Sequence, residues 1–352
     1  MTGNISTVEV GDVILGVDTH KDIHVAVAID RLGRRLTQHQ VATDTAGLAD
    51  LQRWANGLGG NRVWGVEGTG SYGAGLTRSL QRAGETVHEV SRPNRRVRRE
   101  HGKSDPIDAE MAARSVLAEQ SLGAPKSTTS QSEALRQLRA TRRAAVKART
   151  QAANLLGALL VTAPEDLRVD LDCGSMRNKM SRCARLRPST SVDQPRQACK
   201  LSLRATARRW QHLNDEVIEL SSAIASITAE AAPALREQFG VGPDVAAALL
   251  ITAGGNPERM RHEASFAALC GVNPLPASSG KTRRHRLNRG GDRQANSALH
   301  TVALTRMRSD PRTRDYVARR TSQGLSRREI MRCLKRYIAR DLYPLLLLID
   351  TA

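Results

Sequence analysis

The sequence predicts an α/β region at the N-terminus, a coiled-coil middle and a mostly helical C-terminal region. Three observations carry this expectation. Continuous apolar runs, Val13–Val17 and Val63–Val66, read as strands buried on both faces. Between about residues 127 and 233, apolar side chains recur at alternating three- and four-residue steps, the spacing of a coiled-coil seam. From residue 235 onward the pattern is helical and rich in arginine. A chain of 352 residues suits two or three domains, and the division expected is 1–125, 126–234 and 235–352.

The elements follow in order. Val13–Val17 is the first strand. Asp22–Asp30 alternates, with Ile23, Val25 and Val27 on one face, and turns at Arg31–Arg34. Arg35–Val41 is a third, polar strand, and Ala46–Leu58 a helix. Val63–Val66 is a buried strand, Gly73–Ala83 a helix, Thr86–Val90 a short strand and Ala109–Leu117 a helix. A three-strand meander followed by alternating helix and strand gives a mixed sheet. In the middle, Leu135, Leu138, Arg142, Ala145, Arg149, Ala152, Leu156 and Leu159 form one seam. Trp210, Leu213, Val217, Leu220, Ile224 and Ile227 form a second. Two arginines do not suit a dry interface, so the first seam is expected to be partly open or to face a polyanion. Asp166–Gln197 has no period and reads as a loop, an insertion or short helices. Phe239–Pro243 with Asp244–Thr252 resembles a helix-hairpin-helix, whose Gly-rich turn and helix N-terminus offer N–H groups to a phosphate.

Charge narrows the function. Lys and Arg number 54 against 35 Asp and Glu, a net charge of +19, which suits a nucleic acid ahead of an anionic membrane. The run Leu345–Ile349 is too short to span a bilayer, and Met1–Val10 lacks a secretory pattern. Aromatic residues make up 3% of the chain, which disfavours recognition by base stacking and favours arginine–phosphate contact. The five cysteines include no CxxC pair; Cys173, Cys183 and Cys199 with His212 fit no standard zinc spacing, and reduced thiols are expected.

Four acids stand out. Asp18 and Glu67 close buried strands, so their carboxylates project into a crevice at the sheet edge. Asp105 and Asp108 share one helix face. Together they offer the hard oxygens that Mg²⁺ requires. Two such ions would polarise a scissile phosphate and steady its leaving oxygen. The plainer reading makes Asp105 and Asp108 helix caps and Asp18 a turn residue.

Gly16-Val17-Asp18-Thr19-His20-Lys21, Val66-Glu67-Gly68-Thr69-Gly70-Ser71-Tyr72 and Lys103-Ser104-Asp105-Pro106-Ile107-Asp108-Ala109 resemble the three motifs of the DEDD transposases of the insertion sequence 110 family. Gly271-Val272-Asn273-Pro274, Ser278-Ser279-Gly280 and Gly290-Gly291-Asp292-Arg293 resemble that family's C-terminal transposase domain. The resemblance covers both ends of the chain in the same order. It implies an RNase H-like, RuvC-like N-terminal domain binding Mg²⁺ through Asp18, Glu67, Asp105 and Asp108. It implies a serine nucleophile at Ser279, with Ser278 its immediate rival, and one composite site whose parts come from one subunit or two. It also implies DNA as donor and target, a noncoding guide RNA from the element, a homodimer or homotetramer, and a cytoplasmic, nucleoid-associated place in a bacterium.

Basic residues surround both motifs. Arg92, Arg95, Arg96, Arg98, Arg99 and Lys103 precede Asp105, and Lys281, Arg283, Arg284, Arg286 and Arg293 surround or follow the serines. Both groups are expected to hold a nucleic-acid backbone. Further arginines, from Arg306 to Arg340, decorate the last helices. The expected function is therefore a DNA transposase or recombinase. The alternatives are a Mg²⁺-dependent junction-resolving nuclease using water, and a non-enzymatic nucleic-acid-binding scaffold.

Overall fold

Seven consecutive buried residues form β1 (Val13–Thr19), the centre of a six-stranded sheet. The computed structural model describes residues 13–90, 104–119, 122–125, 130–254, 260–277 and 285–347. The described residues up to 125 form one unit and those from 130 onward a second.

In the first unit β1 is followed by β2 (Ile23–Asp30), β3 (Arg35–Ala42), α1 (Thr45–Gly57), β4 (Arg62–Glu67), α2 (Ala74–Arg82), β5 (Thr86–Val90), α3 (Asp105–Leu117) and β6 (Leu122–Gly123). The strand order is β3-β2-β1-β4-β5-β6. The first three strands are antiparallel neighbours, whereas β4 runs parallel to both β1 and β5. This is the mixed, RNase H-like sheet that the motifs imply. The polar β3 is an edge strand, where one face and one rim meet water. Asp44 caps α1, its Oδ1 accepting from the Gly47 N–H at 2.8 Å.

Alternation in β1 and β4 sorts their side chains to two faces. Leu15, Val17, Trp64 and Val66 pack with Leu51 and Ala55 of α1 and with Leu76 and Leu80 of α2. Ile14 and Val63 pack with Ala109, Ala112, Ala113 and Val116 of α3. Each fully buried leucine in this core contributes about 1.5–3 kcal/mol. The alternation of β2 suggests a single apolar face, but both are buried, because Ala26 and Ala28 face the α1 and α2 side. Alanine is small enough to lie under a helix without marking the pattern.

The second unit opens with α4 (Gln131–Val161), α5 (Glu165–Leu171), α6 (Met176–Ala184) and α7 (Pro195–Ala231). The helices α4 and α7 pack antiparallel, so the two seams face one another within the chain. The two seam arginines stay half-buried and find polar partners within the chain. Arg142 Nε donates to Ser221 Oγ at 2.6 Å, and Arg149 Nη1 donates to Asn214 Oδ1 at 2.8 Å. The partner helix thus supplies polar acceptors at the two levels where the seam carries arginine. The aperiodic stretch resolves into α5 and α6, which cap one end of the pair through Leu156, Leu160, Leu167, Leu171, Met180, Cys183 and Leu203. Burial and the nearby Cys199 push the Cys183 thiol up to about 11, so it stays protonated.

The other end of the pair joins a helical core made with α8 (Pro233–Arg236), α9 (Pro243–Ala253), α10 (Glu263–Leu269), α11 (Arg293–Ser309), α12 (Pro311–Ser322) and α13 (Arg327–Leu347). Between α10 and α11 lies the two-stranded ribbon β7 (Leu275–Pro276) and β8 (His285–Arg286). Helix α9 is buried around nearly its whole circumference, as a sequence with Thr252 as its one polar residue after Asp244 requires. At its first turn, Asp244 receives Arg139 of α4 in a two-pronged ion pair, at 3.1 and 3.0 Å. Among the described residues no helix is long and apolar enough to cross a membrane.

Candidate functional site

The same alternation that builds the N-terminal core aims its acids. Residues 14, 16 and 18 of β1 and residues 63, 65 and 67 of β4 all face α3. Val17 pairs with Val66, so Asp18 and Glu67 are the next neighbours at the carboxyl ends of two parallel strands. Thr19 Oγ1 donates to the Glu67 carbonyl at 2.8 Å and ties those ends together.

Two glycines set how close α3 comes. Gly16 and Gly65 are register partners on the face that α3 covers. A Cβ on Gly16 would stand 2.0 Å from the Ala109 carbonyl oxygen and 2.4 Å from the Ala113 nitrogen. One on Gly65 would stand 2.9 Å from the Ala112 oxygen. The helix backbone therefore lies directly on the sheet, with alanines at 109, 112 and 113 facing it. Asp105 and Asp108 lie in the first turn of α3, on that same face.

The outcome is a cluster at one end of the sheet. Asp18, Glu67 and Asp108 are buried, and Asp105 is half-exposed. His20 Nε2 lies 3.2 Å from Asp18 Oδ2 and 3.4 Å from Asp105 Oδ1. One ligand atom each from Asp18, His20 and Asp105 lies within 4.8 Å of the others. Burial raises the Asp18 pKa above the ordinary carboxylate range, His20 opposes the rise, and the charges of Asp108 and Asp105 add to it. A buried carboxylate crowded by like charges is stabilised by a cation. The oxygen-rich donor set suits a hard divalent ion such as Mg²⁺. His20 is a member of this group that the motifs alone do not mark. Its signal was its place two residues beyond Asp18, on the same side of an extended chain.

The C-terminal motifs form a brace. Gly271 and Gly291 both have positive φ, at 63° and 84°. A Cβ on Gly271 would stand 2.4 Å from the Gly290 oxygen, and one on Gly291 2.5 Å from the Gly271 nitrogen. Asp292 caps α11, accepting from Gln294 N at 2.7 Å, and also accepts from Thr252 Oγ1 at 2.8 Å. Asn288 donates to Asn273 Oδ1 at 2.6 Å. These contacts tie together the described stretches on either side of residues 278–284, where the sequence places the serines.

Ser278, Ser279, Lys281, Arg283 and Arg284 lie outside the described residues, as do Arg92, Arg95, Arg96, Arg98, Arg99 and Lys103. Arg286 and Arg293 are exposed. Some of the later arginines are structural: Arg306 pairs with Asp341 at 3.2 Å, and Arg340 with Glu263 at 3.0 Å. The first turn of α9 is also engaged, since Asp244 takes up both Arg139 and Arg142.

Comparison with known proteins gives two matches. A transposase family model of the DEDD, IS110 type matches residues 15–163. A second model, described as transposase of the IS116/IS110/IS902 family, matches residues 232–318. No curated protein matches the chain.

Proposed function

Since the chain belongs to the IS110 family of transposases and is a DNA-processing transposase or recombinase, we propose that it cuts and exchanges DNA strands with Mg²⁺ and a serine nucleophile. The observation that carries this reading is the meeting of Asp18, His20 and Asp105 at the strand ends, with Asp108 near enough to act on Asp18.

In this reading Asp18, Glu67, Asp105 and Asp108 hold the metal. Magnesium, when bound, neutralises the charge of the scissile phosphate and makes it attackable. Glycines 16 and 65 keep the acids in place by letting α3 sit on the sheet. His20 is a positioning residue, hydrogen-bonding to Asp18 and facing Asp105. Ser279 attacks phosphorus through Oγ, forming a phosphoserine ester as one strand P–O bond breaks. The serine proton leaves to solvent or a base, and the departing strand oxygen gains one. The ester conserves the bond energy, so a second strand hydroxyl can reverse the step without ATP. The acids and the serine act as one composite site, from one subunit or two of a homodimer or homotetramer. A noncoding guide RNA selects donor and target, which fits a chain with 54 basic residues and 3% aromatic ones. The protein is expected to act at the bacterial nucleoid.

A trapping assay tests this. The protein is incubated with RNA transcribed from the flanks of its element, labelled junction DNA and Mg²⁺, then denatured in detergent. The expected result is label migrating with protein, lost in Ser279→Ala and in Asp18→Ala and retained in Ser278→Ala. Free cleaved ends without an adduct, lost only in Asp18→Ala, would make the protein a water-using nuclease. Binding that survives Asp18→Ala, with no Mg²⁺-dependent product from the parent protein, would make it a scaffold.

A further inference from the structure

A second feature, outside the acid cluster, gathers basic side chains around one cavity. Between the loop Gly271–Pro274, the residues from His285 to Asn288 and helix α13 lies a cavity of about 780 Å³. That is within the range of pockets that take small ligands. Its lining carries Arg286, Arg332, Lys335, Arg336 and Arg340 against one acid among the described residues, Glu329.

Part of that charge is already neutralised within the fold. Arg336 and Arg340 both reach Glu263, and Arg332 lies 3.9 Å from Glu329. Lys335 is different. It is only 8% exposed, and its Nζ donates to the neutral amide oxygen of Asn296 at 2.8 Å. That amide is locked in turn, donating to the carbonyls of Cys270 and Gly271 at 3.0 and 3.1 Å. Among the described residues no carboxylate lies within ion-pair distance of Lys335 or of Arg286. Burial lowers the Lys335 pKa, and Arg332 adds to the effect. Arg336 contributes a buried Nη1 with no acceptor among the described residues. A buried cation beside other cations is costly unless an anion joins it.

The kind of anion follows from the other wall. Tyr337 lines the same cavity with an exposed ring, and the Arg340 guanidinium lies 5.8 Å from the ring centre. An exposed ring beside cations is the arrangement that takes a base and its phosphate together. We infer that this pocket seats a phosphate of a nucleic-acid strand on Lys335 and Arg286, with the adjoining base against Tyr337. The inference rests on the reading of the chain as a DNA-processing enzyme. It adds a place where the strand is held, in the unit that does not carry the acids.

Two cysteines allow a direct test. Cys333 lines the cavity, whereas Cys173 is exposed between α5 and α6. The full chain is treated with a maleimide with and without a labelled, mixed-sequence single-stranded DNA, and each cysteine peptide is quantified by mass spectrometry. Anisotropy of the label reports binding. At about ten times the dissociation constant, simple occlusion slows Cys333 modification about tenfold and leaves Cys173 unchanged. Arg286→Ala, on an exposed ribbon, is expected to cut this protection and to lower the salt slope of binding by about one ion. Lys335→Gln is expected to do the same, and Tyr337→Ala serves if that variant does not fold. An RNA strand of the same sequence is run beside the DNA, and protection by either strand supports the site. DNA bound by anisotropy while Cys333 reacts at its free rate would overturn the inference. Adduct formation in the trapping assay would then still stand by itself.

Discussion

Replacing Gly16 with alanine tests whether the close approach of α3 to the sheet organises the acids. The added Cβ would stand 2.0 Å from the Ala109 oxygen, whereas real Cβ contacts essentially never fall below 3.0 Å. Helix and strand must therefore part by about 1 Å. Both contacted atoms, at Ala109 and Ala113, are backbone, so no side chain can swing aside. Overpacking of this kind costs about 1–3 kcal/mol in stability. The larger effect is on geometry, because the moved helix carries Asp105 and Asp108 away from Asp18. A misplacement of about 1 Å is enough to cost about 100-fold in rate. The assay measures Mg²⁺-dependent strand cleavage together with the rise in melting temperature that Mg²⁺ produces. Gly16→Ala is expected to fold, to melt earlier, and to lose most of both Mg²⁺ effects. Gly75→Ala is the control, because it lies within α2 and its Cβ would meet nothing within 4 Å. It should gain about 0.5–1 kcal/mol and keep full activity. A Gly16→Ala protein that cleaves as fast as the parent would refute the argument that helix approach sets the site.

Two other predictions concern stability. The Arg139–Asp244 pair joins α4 to the first turn of α9, and a double-mutant cycle with Arg139→Met and Asp244→Ala is expected to give a coupling of about 1–2 kcal/mol in urea melts. A coupling near zero would mean that the contact contributes shape alone. In the N-terminal unit, burial lowers the pKa of His24 and of His88 from 6.5, and His24 Nδ1 and His88 Nε2 have no partner among the described residues. The folded state therefore favours the neutral rings. Their contribution to stability is full above pH 6.5 and is lost as the pH falls through 6.5 toward the lower folded values. The melting temperature should drop over that window, and a His24→Gln, His88→Gln variant should show a flatter profile. An unchanged slope in the variant would assign the acid sensitivity to other groups.

Much of this molecule is legible before any coordinate is known. The strands around Val13–Val17 and Val63–Val66 read correctly because a strand buried on both faces has no choice but continuous apolar sequence. Asp18 and Glu67 could be picked out because a carboxylate directly after such a run stands at the strand end, beyond the apolar packing. The paired helices α4 and α7 were readable from their seams, since the three-four spacing is a property of one helix and needs no partner to appear.

Other features depend on what lies across space. Arg142 and Arg149 look misplaced in a seam until Ser221 and Asn214 arrive from a helix more than sixty residues away. Arg139 has no apolar signal, yet it is buried because Asp244 and Gln294 meet it. His20 falls beside both Asp18 and Asp105 only once α3 is laid over β1. The cavity at Lys335 draws on three stretches of chain that share no pattern. Strands, helices and the acids at strand ends follow from the order of residues alone, because local periodicity and burial are written along the chain. Which charges are neutralised and which wait for a partner depends on the fold, because a charge is satisfied by whatever is brought within a few ångströms of it.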